Sequence, residues 1–358
     1  ETPSKLGRSE VGGNERLSKP RTQAAQILGQ STSVVGFSKT EKRPGRVGHA
    51  WPYLPLHFTI GERVMDRLRV VQVGCGGISR AWTKSESYRE FVELVGVVDV
   101  VPEAAKRLIA ELELPDVPIG ADLTAMIEQV LPEAIFDTTV PEGHHPVTTA
   151  ALARGCHVLG EKPLADTLEH AREMVAVAER TGRTYAVTQT RRWNAQMRRV
   201  ESLLRSGEIG SPRSLYADFV IAAHFGGFRA NMRHVLLLDM AIHTFDTARV
   251  LVGDANPAWV LAHESNPTGS NYRHGADAMA HFGFTDGTVF SYRGTWTGTG
   301  QQTSWEADWN IQCTRGAVTW RKDSDIVAQR MIDPLQPSAE DGSSLIRDLE
   351  DVDVPEFV

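Results

Sequence analysis

The segment Val71-Gln72-Val73-Gly74-Cys75-Gly76-Gly77-Ile78-Ser79 is the clearest indication of the fold, because it has the pattern of a β-strand, a glycine turn and the start of a helix. Glycine at position 74 permits a tight turn, and glycine at position 76 lets backbone amides approach a pyrophosphate group. Ser79 replaces the third glycine of the G-x-G-x-x-G pattern, and it is small enough to be tolerated there. The stretch predicts a dinucleotide-binding loop formed by Gly74, Cys75, Gly76, Gly77, Ile78 and Ser79.

An acidic residue supports this prediction and bears on the choice of cofactor. Asp99 follows the second apolar run, 23 residues after Gly76, where a carboxylate accepts hydrogen bonds from the adenosine ribose hydroxyls. Its negative charge would repel the 2′-phosphate of NADP, so NAD is the favoured cofactor. NADP stays open at this stage because Arg80 could pair with a phosphate.

From Leu68 onward, short apolar runs alternate with amphipathic stretches, which is typical of βαβ units around a parallel sheet. The predicted strands are 68–73, 92–98, 134–139, 157–160 and 184–188. The predicted helices are 102–112, 123–130, 145–154 and 168–180. We therefore expect an α/β fold in which residues 65–190 form a Rossmann dinucleotide-binding domain.

Beyond about Arg191 the pattern changes to alternation of apolar and polar residues, which favours antiparallel strands. Helices are predicted near 195–206 and 236–251, and strands at 215–223, 259–263, 278–284, 289–295, 307–313 and 317–320, with Thr285-Asp286-Gly287-Thr288 as a hairpin turn. The tail from Asp323 is acidic and poorly periodic. We expect a C-terminal α+β domain over residues 191–358, with an open, largely antiparallel sheet.

Residues 1–64 differ from the rest of the chain. They hold ten Lys or Arg residues against five Asp or Glu, and they show no sustained helical or strand period. They also lack the unbroken apolar core of a signal peptide. We expect an irregular N-terminal extension that is dispensable for folding and for cofactor binding.

Composition excludes several classes of protein. Of the 358 residues, 41% are hydrophobic and 23% are charged, as in ordinary globular proteins. A net charge of −7 gives no electrostatic reason to expect nucleic acid or an anionic membrane as a partner, and no apolar run is long enough to span a bilayer.

The three cysteines, Cys75, Cys156 and Cys313, are odd in number and far apart. They favour a reducing compartment, the cytoplasm, over a disulfide framework.

A lysine follows the fourth predicted strand, in the segment Leu159-Gly160-Glu161-Lys162-Pro163-Leu164. The carboxyl ends of parallel strands form the edge where open α/β sheets bind ligands, and Pro163 biases Lys162 away from helix. An ammonium group beside a nicotinamide can hydrogen-bond a substrate hydroxyl and stabilise developing negative charge. Taken alone, a Glu-Lys pair at a strand end is more often a surface ion pair, so the functional interpretation depends on the other motifs.

The second chemical motif lies within the predicted helix 236–251. Asp239, His243 and Asp246 have the spacing i, i+4 and i+7, which on a regular helix aligns three polar groups on one face. Histidine is well matched to accept a hydroxyl proton near neutral pH, and a flanking carboxylate can fix its tautomer. The alternative for this motif on its own is a solvated polar stripe or a core histidine.

We also considered metal binding and aromatic stacking. His144 and His145 are adjacent, and His224, His234, His243 and Asp239 could cluster, but no spacing matches HExxH or a Cys/His finger, so no metal site is expected. Core packing explains most of the tryptophans, although one or two of Trp193, Trp296, Trp305 and Trp309 could stack on a sugar ring.

Several motifs in a fixed order make the chain resemble the Gfo/Idh/MocA family, which includes glucose-fructose oxidoreductase and inositol dehydrogenase. The resemblance runs from about Leu68 to Trp320. It rests on the 74–79 loop, Asp99, the 141–145 segment, Glu161-Lys162-Pro163, Arg192, Ser206-Gly207-Glu208-Ile209-Gly210 and the Asp239/His243/Asp246 helix.

The resemblance implies an NAD(P)-dependent dehydrogenase that moves a hydride between a sugar, inositol or related polyol hydroxyl and the nicotinamide. Lys162, Asp239 and His243 match the family's catalytic positions: His243 would be the general base, Asp239 would orient it and hold substrate, and Lys162 would polarise the reacting oxygen. The cofactor side would be lined by Thr139, Pro141, His145, Glu161, Lys162 and Arg192. The open sheet would pack in homodimers or homotetramers.

Two features depart from the family pattern. Residues 1–64 have no counterpart in it, and members usually continue through another helix where this chain ends at Val358, so we expect a C-terminal domain that lacks this helix.

Two other functions stay open beside the dehydrogenase. One is a lyase or glycosidase that uses tightly bound NAD transiently. The other is a non-catalytic regulator that senses a dinucleotide or a sugar.

Overall fold

The computed structural model describes residues 34–36, 67–322, 324–332 and 349–356. Within these residues the chain forms two β-sheets, one of seven strands and one of eight. Apart from residues 34–36, the predicted N-terminal extension lies outside the described residues.

The first sheet consists of β1 (Val34–Gly36), β2 (Leu68–Val73), β3 (Val92–Val98), β4 (Ile119–Gly120), β5 (Ala134–Asp137), β6 (His157–Gly160) and β7 (Tyr185–Thr188). Its spatial order is β1-β7-β6-β5-β2-β3-β4. Strands β2 to β7 pair in parallel, which confirms the Rossmann-type sheet. Because the strand order reverses at β2, the carboxyl ends of β2 and β5 border the crevice where such sheets bind ligands.

Strand β1 corrects the expectation of an entirely irregular extension. It pairs antiparallel with β7, in the register that places Val34 opposite Thr188. An edge strand presents unpaired backbone groups, and a short extended segment of the same chain can satisfy them. A three-residue strand carries too little periodicity to be recognised in the sequence.

Six helices accompany this sheet: α1 (Gly77–Thr83), α2 (Glu86–Phe91), α3 (Pro102–Leu112), α4 (Leu123–Val130), α5 (Pro141–Ala153) and α6 (Leu168–Thr181). Local signals set several of their ends. The Thr167 side chain accepts a hydrogen bond from the backbone N–H of His170 at the start of α6, and Gly182 ends this helix with a positive φ of 65°. Helix α5 begins at Pro141, four residues before its predicted start, because proline suits a first helical turn.

The second sheet consists of β8 (Pro212–Val220), β9 (Pro257–Ser265), β10 (Asp277–Phe284), β11 (Val289–Thr295), β12 (Asp308–Cys313), β13 (Gly316–Arg321), β14 (Asp325–Met331) and β15 (Leu349–Val352). Its order is β15-β14-β13-β12-β8-β11-β10-β9. All neighbours pair antiparallel except β8 and β11, which pair in parallel. Strands β14 and β15 lie in the acidic, poorly periodic tail, for which no strand was predicted. Most of their residues are exposed or half-buried, so apolar alternation is weak there.

Helical segments cover one face of the second sheet. They are a 3₁₀ turn (Thr190–Trp193), α7 (Ala195–Ser206), α8 (Phe228–Asn231), a π-helical turn (Leu236–Ala241) and α9 (Ile242–Val252). The covered face holds an aromatic core that includes Trp296, Trp309 and Trp320, all about 1% exposed, so core packing explains the first two as expected. In the described part of the chain, no helix has the length and apolar character needed to cross a membrane.

Candidate active site

The glycine loop lies at the crevice between β2 and β5. Gly74 has a positive φ of 82°, and a β-carbon at this position would lie 2.7 Å from the carbonyl oxygen of Thr138. Glycine is needed here because the loop turns closely against the backbone that follows β5. A β-carbon at Gly76 or Gly77 would meet nothing within 4 Å. The outer side of the loop is therefore open, which fits the approach of a pyrophosphate group.

The other loop residues have different surroundings. Burial, with the nearby charge of Asp99, raises the pKa of the Cys75 thiol to about 12, so this thiol stays protonated and is a packing residue rather than a redox group. Ser79 is buried, and its hydroxyl donates a 2.7 Å hydrogen bond to the carbonyl of Gly76. Serine at the third position therefore ties the first turn of α1 to the loop. Ile78 is exposed beside it.

Asp99 lies directly after β3 and braces the glycine loop. Its Oδ2 accepts a 2.6 Å hydrogen bond from the backbone N–H of Cys75, and its Oδ1 accepts one of 2.7 Å from the N–H of Val101. Each oxygen keeps a further lone pair that a ribose hydroxyl can use. Arg80, the residue that kept NADP open, donates a 2.9 Å hydrogen bond to Glu111. Its charge is thus already paired, which favours NAD.

The segment after β5 is ordered by a buried carboxylate. The backbone N–H and the hydroxyl of Thr139 both donate to Oδ1 of Asp137, at 3.0 and 2.6 Å. The other oxygen lies 3.1 Å from Nδ1 of the buried His144. Pro141 is buried in the first turn of α5. Thr139 and Pro141 therefore stand at the same sheet edge as the glycine loop.

His145 bridges two helices. Its Nε2 lies 2.9 Å from a carboxylate oxygen of Glu173 on α6, and its ring stacks on that of His170 with 4.1 Å between the centroids. Its role in lining the cofactor stays a prediction.

Glu161 links the glycine-loop helix to the lysine segment. Its Oε1 accepts a 3.0 Å hydrogen bond from the indole N–H of Trp82 on α1, and its Oε2 accepts one of 3.1 Å from the backbone N–H of Lys162. The Lys162 ammonium instead hydrogen-bonds Asp239, so the alternative of a surface Glu-Lys pair is wrong. Glu161 therefore orients the backbone at the end of β6, from which the Lys162 side chain projects.

Lys162 and Asp239 meet between the two sheets. The Lys162 Nζ donates to Oδ1 and to the backbone carbonyl of Asp239, both at 2.8 Å. Arg229 donates to the same carboxylate, from Nε to Oδ2 at 2.6 Å and from a terminal nitrogen to Oδ1 at 3.2 Å. Burial alone would raise the pKa of Asp239, but the charges and hydrogen bonds of Lys162 and Arg229 lower it overall. One carboxylate is therefore shared between two cations, which leaves excess positive charge.

Arg229 was not among the predicted site residues. It lies on the short helix α8, between β8 and the π-helical turn. Its guanidinium carbon is 5.4 Å and 4.6 Å from the ring centroids of Phe225 and Phe228. Both rings are partly exposed. A cation at a loop tip has no fixed spacing to a catalytic motif, so no sequence signal distinguished it from other surface arginines.

A π-helical turn changes the geometry expected for Asp239 and His243. The sequence predicted one regular helix with both residues on one face, but residues 236–241 form a π turn and the α-helix begins only at Ile242. Widened turns of this kind are frequent at functional sites. The carboxylate of Asp239 consequently pairs with Lys162 and Arg229, and the expectation that it orients His243 by a hydrogen bond is wrong.

His243 has a different partner, Gln189, which was not among the predicted site residues. The His243 Nδ1 lies 3.0 Å from Oε1 of Gln189, and the residue is 9% exposed. Burial, together with the charges of Arg191 and Lys162, lowers the pKa of this imidazole well below its usual range. His243 is therefore neutral near pH 7. The sequence could have indicated Gln189, because it is a polar residue directly after the predicted strand 184–188. That strand ends at the ligand-binding edge of the sheet.

A buried arginine stands behind the histidine. The Arg191 Nε lies 3.1 Å from a carboxylate oxygen of Glu306, and other guanidinium nitrogens hydrogen-bond the carbonyl of Trp305 and the hydroxyl of Thr244 at 3.4 Å. This arginine anchors the 3₁₀ turn to the segment before β12 and to α9. Its charge is one cause of the low pKa of His243.

Arg192 and Asp246 form an ion pair with each other. Two 2.7 Å hydrogen bonds join Nε and a terminal nitrogen of Arg192 to the two carboxylate oxygens. The structure therefore does not bring Asp246 to His243. The cofactor-binding role of Arg192 remains a prediction. In the described part of the chain, no three His, Cys, Asp or Glu side chains are grouped so that they could hold a metal ion.

Comparison with known proteins agrees with this geometry. Residues 68–189 match the Gfo/Idh/MocA oxidoreductase family, NAD-binding Rossmann fold, and residues 197–319 match the Gfo/Idh/MocA C-terminal domain. The chain belongs to this family. Its first sheet is therefore an NAD-binding Rossmann fold, and NAD is its cofactor.

Relatives of known activity cover most of the chain at moderate identity. A 1,5-anhydro-D-fructose reductase of Ensifer adhaerens is 28% identical over 70% of this chain and 74% of its own length. A D-glucoside 3-dehydrogenase of Escherichia coli is 26% identical over 72% of this chain and 70% of its own length.

Solved structures share the fold. An NAD-binding protein from Listeria innocua superposes with a TM-score of 0.68 at 20% identity, covering 82% of this chain and 83% of its own. An oxidoreductase from Agrobacterium radiobacter in complex with NAD+, L-tartaric acid and magnesium gives a TM-score of 0.65 at 19% identity, covering 82% and 81%.

Proposed function

We propose that this protein oxidises a hydroxyl group of a sugar, inositol or related polyol with NAD, and that Lys162, Asp239 and His243 carry the chemistry. The observation that carries the proposal is the meeting of the Lys162 ammonium with Asp239 beside the nucleotide crevice, with a neutral imidazole on the following turn. Several relatives are named as reductases or dehydrogenases of sugars or inositol, which supports a sugar or polyol as the substrate class.

The loop and the strand ends fit the cofactor. The open outer side of Gly76 and Gly77 leaves room for a pyrophosphate, and the Asp99 carboxylate at the end of β3 supports a role in binding the ribose. When bound, NAD supplies the hydride acceptor. Ile78, Thr139 and Pro141 complete the proposed cofactor side, together with His145 and Arg192 as the family resemblance implies.

The residues divide the proton chemistry between them. Lys162 donates a hydrogen bond to the reacting oxygen and stabilises its developing negative charge. His243, neutral and close to the same strand edge, accepts the hydroxyl proton. Asp239 holds Lys162 in place and offers its carboxylate to a neighbouring substrate hydroxyl.

The proposal extends to the organisation of the molecule. Residues 65–190 act as the nucleotide domain, and residues 191–358 act as the substrate-binding and oligomerisation domain. The open face of the second sheet carries exposed apolar side chains on three strands, Trp259 and Leu261 on β9, Met279 on β10 and Tyr216 on β8. A second copy of the chain covers this face in a homodimer or homotetramer. The three free, buried cysteines fit a cytoplasmic location.

The test is turnover with NAD on a panel of cyclic polyols, free aldoses and methyl glycosides. We expect NADH to accumulate with at least one of them, and the oxidised product to form in equal amount. A product that forms without net NADH would instead support the lyase or glycosidase alternative. Tight NAD binding without any turnover would support the non-catalytic regulator.

A further inference from the structure

Gln189 connects the Rossmann sheet to the proposed general base. It follows β7 directly, and its Oε1 lies 3.0 Å from Nδ1 of His243 at the start of α9. The contact joins residues 54 positions apart in the chain. The other ring nitrogen, Nε2, has no hydrogen-bond partner among the described residues.

The identity of this partner matters because a neutral imidazole has only one N–H. The ring is buried, and it has cationic neighbours in Lys162, from the loop after β6, and Arg191, from the 3₁₀ turn. Arg191 is itself paired with Glu306, and Lys162 with Asp239. Among the described residues, no carboxylate hydrogen-bonds the ring to stabilise an imidazolium. An amide oxygen can only accept a hydrogen bond, so the N–H facing it must be on Nδ1.

We propose that Gln189 is a positioning residue that holds His243 in the Nδ1–H tautomer, with the Nε2 lone pair directed to the substrate hydroxyl. The opposite amide orientation, with the Gln189 NH₂ group donating to Nδ1, would place the proton on Nε2 and remove the acceptor that the chemistry needs. The proposed tautomer rests on the contact between Gln189 Oε1 and His243 Nδ1, whereas its use as a proton acceptor rests on the proposed function.

A neutral partner distinguishes this site from the familiar carboxylate–histidine pair. A carboxylate would stabilise the cationic form of His243 and raise its pKa. The Gln189 amide orients the ring without that effect, so the base stays unprotonated at mildly acid pH. The Rossmann sheet thereby supplies the residue that orients the base on the second sheet's helices.

The first test is direct and needs neither substrate nor variant activity. The protein is labelled with ¹⁵N-histidine, and the His243 ring signals are assigned through the His243→Asn variant. We expect chemical shifts of a protonated Nδ1 and an unprotonated Nε2. Signals of a protonated Nε2 near neutral pH would overturn the proposal, whether or not the protein is a dehydrogenase.

The second test uses Gln189→Glu, which keeps the size and the acceptor and adds a charge. We expect the midpoint of the His243 titration to move up by more than about one pH unit, and the acid limb of the pH–kcat/KM profile to move with it. The exposed Gln301→Glu is the matched control, because it adds the same charge away from the ring. Equal midpoints in the two variants would overturn the proposal.

Gln189→Leu separates positioning from packing. It keeps a side chain of comparable bulk but removes the acceptor, so we expect kcat to fall about 10- to 100-fold. Gln189→Glu keeps an acceptor, so its kcat should recover at pH values above its shifted acid limb. The Kd for NADH should stay within about threefold of the wild type. An unchanged kcat in Gln189→Leu would contradict the role of Gln189. If this variant does not fold, the His243 tautomer measured in the wild type decides whether the inference holds.

Discussion

At the scale of single residues, the proposed chemistry depends on the charge shared by Lys162, Asp239 and Arg229. Two cations contact one carboxylate, so the pair of Lys162 and Asp239 retains positive potential toward a substrate oxygen. Such preorganised charge is most effective in a buried site, where the effective dielectric constant is low. Lys162 is therefore expected to act on the transition state more than on cofactor binding.

The variant Lys162→Ala tests this expectation. Asp239 keeps Arg229 as a partner, so the buried carboxylate is not left unpaired and the protein should fold. We expect kcat to fall by about 10²- to 10³-fold, with the Kd for NADH changed less than about threefold. Steady-state kinetics and NADH fluorescence titration measure the two effects. The control is Lys106→Ala, an exposed lysine paired with Glu103, and an equal loss in both variants would contradict the role.

The low pKa of His243 predicts the pH dependence of alcohol oxidation. As the proposed general base, His243 must be neutral to accept a proton, and its pKa is depressed below the ordinary 6.5 by burial and by the charges of Arg191 and Lys162. The acid limb of kcat/KM should therefore lie below pH 6.5, with a plateau above it. Rates measured between about pH 5 and pH 8 locate the limb. A limb above pH 6.5 that vanishes in His243→Asn would show that the imidazole is not depressed.

The residue scale also shows what the sequence can and cannot predict. Gly74 and Asp99 were recognisable because a tight turn and a strand end impose fixed spacings. Lys162 was recognisable from its place after a strand. The partners Arg229 and Gln189 were not, because they depend on a loop fold and on how two sheets meet.

At the scale of elements, the loop between β2 and α1 and the π turn before α9 decide the site. The loop was predictable from its glycines, whose spacing reflects local backbone sterics. The π turn was not, because its sequence has the apolar spacing of an ordinary helix. Strands β14 and β15 were also not predicted, because most of their residues are exposed or half-buried and they lack the alternation of a half-buried strand.

Two glycine variants separate stability from cofactor binding within the loop. Gly74→Ala forces a positive φ on alanine and a 2.7 Å clash with the Thr138 carbonyl, so we expect at least about 1–2 kcal/mol of lost stability. Gly76→Ala meets no protein atom, so its stability should be nearly unchanged while its methyl group obstructs the pyrophosphate and weakens NADH binding. Thermal unfolding and fluorescence titration distinguish them. Equal unfolding midpoints for the two variants would contradict the loop geometry.

At the scale of the whole molecule, the two sheets differ in how completely they are covered. Helices cover one face of the second sheet, whereas its other face exposes apolar side chains such as Leu261, which is 68% exposed. The sequence predicted the open sheet through its alternation. What covers that face depends on a second molecule, and this is why we propose self-association through it.

The variant Leu261→Arg tests that interface. A buried, unpaired cation at the centre of an apolar contact is costly, so we expect a smaller species in sedimentation velocity at a concentration where the wild type is oligomeric. The control is Leu168→Arg, an exposed leucine at the start of α6. A wild type that sediments as a monomer, or an oligomer unaffected by Leu261→Arg, would contradict this interface.

Transfer of deuterium from substrate to cofactor tests directly whether this protein is a polyol dehydrogenase. The protein is incubated with NAD and a mixture of sugars and polyols deuterated at their carbinol carbons, and the recovered cofactor is analysed by mass spectrometry. We predict NADH that carries deuterium with the wild type, and greatly reduced deuterated NADH with Lys162→Ala. Unlabelled NADH, or no NADH from a protein that demonstrably binds NAD, would contradict a polyol dehydrogenase.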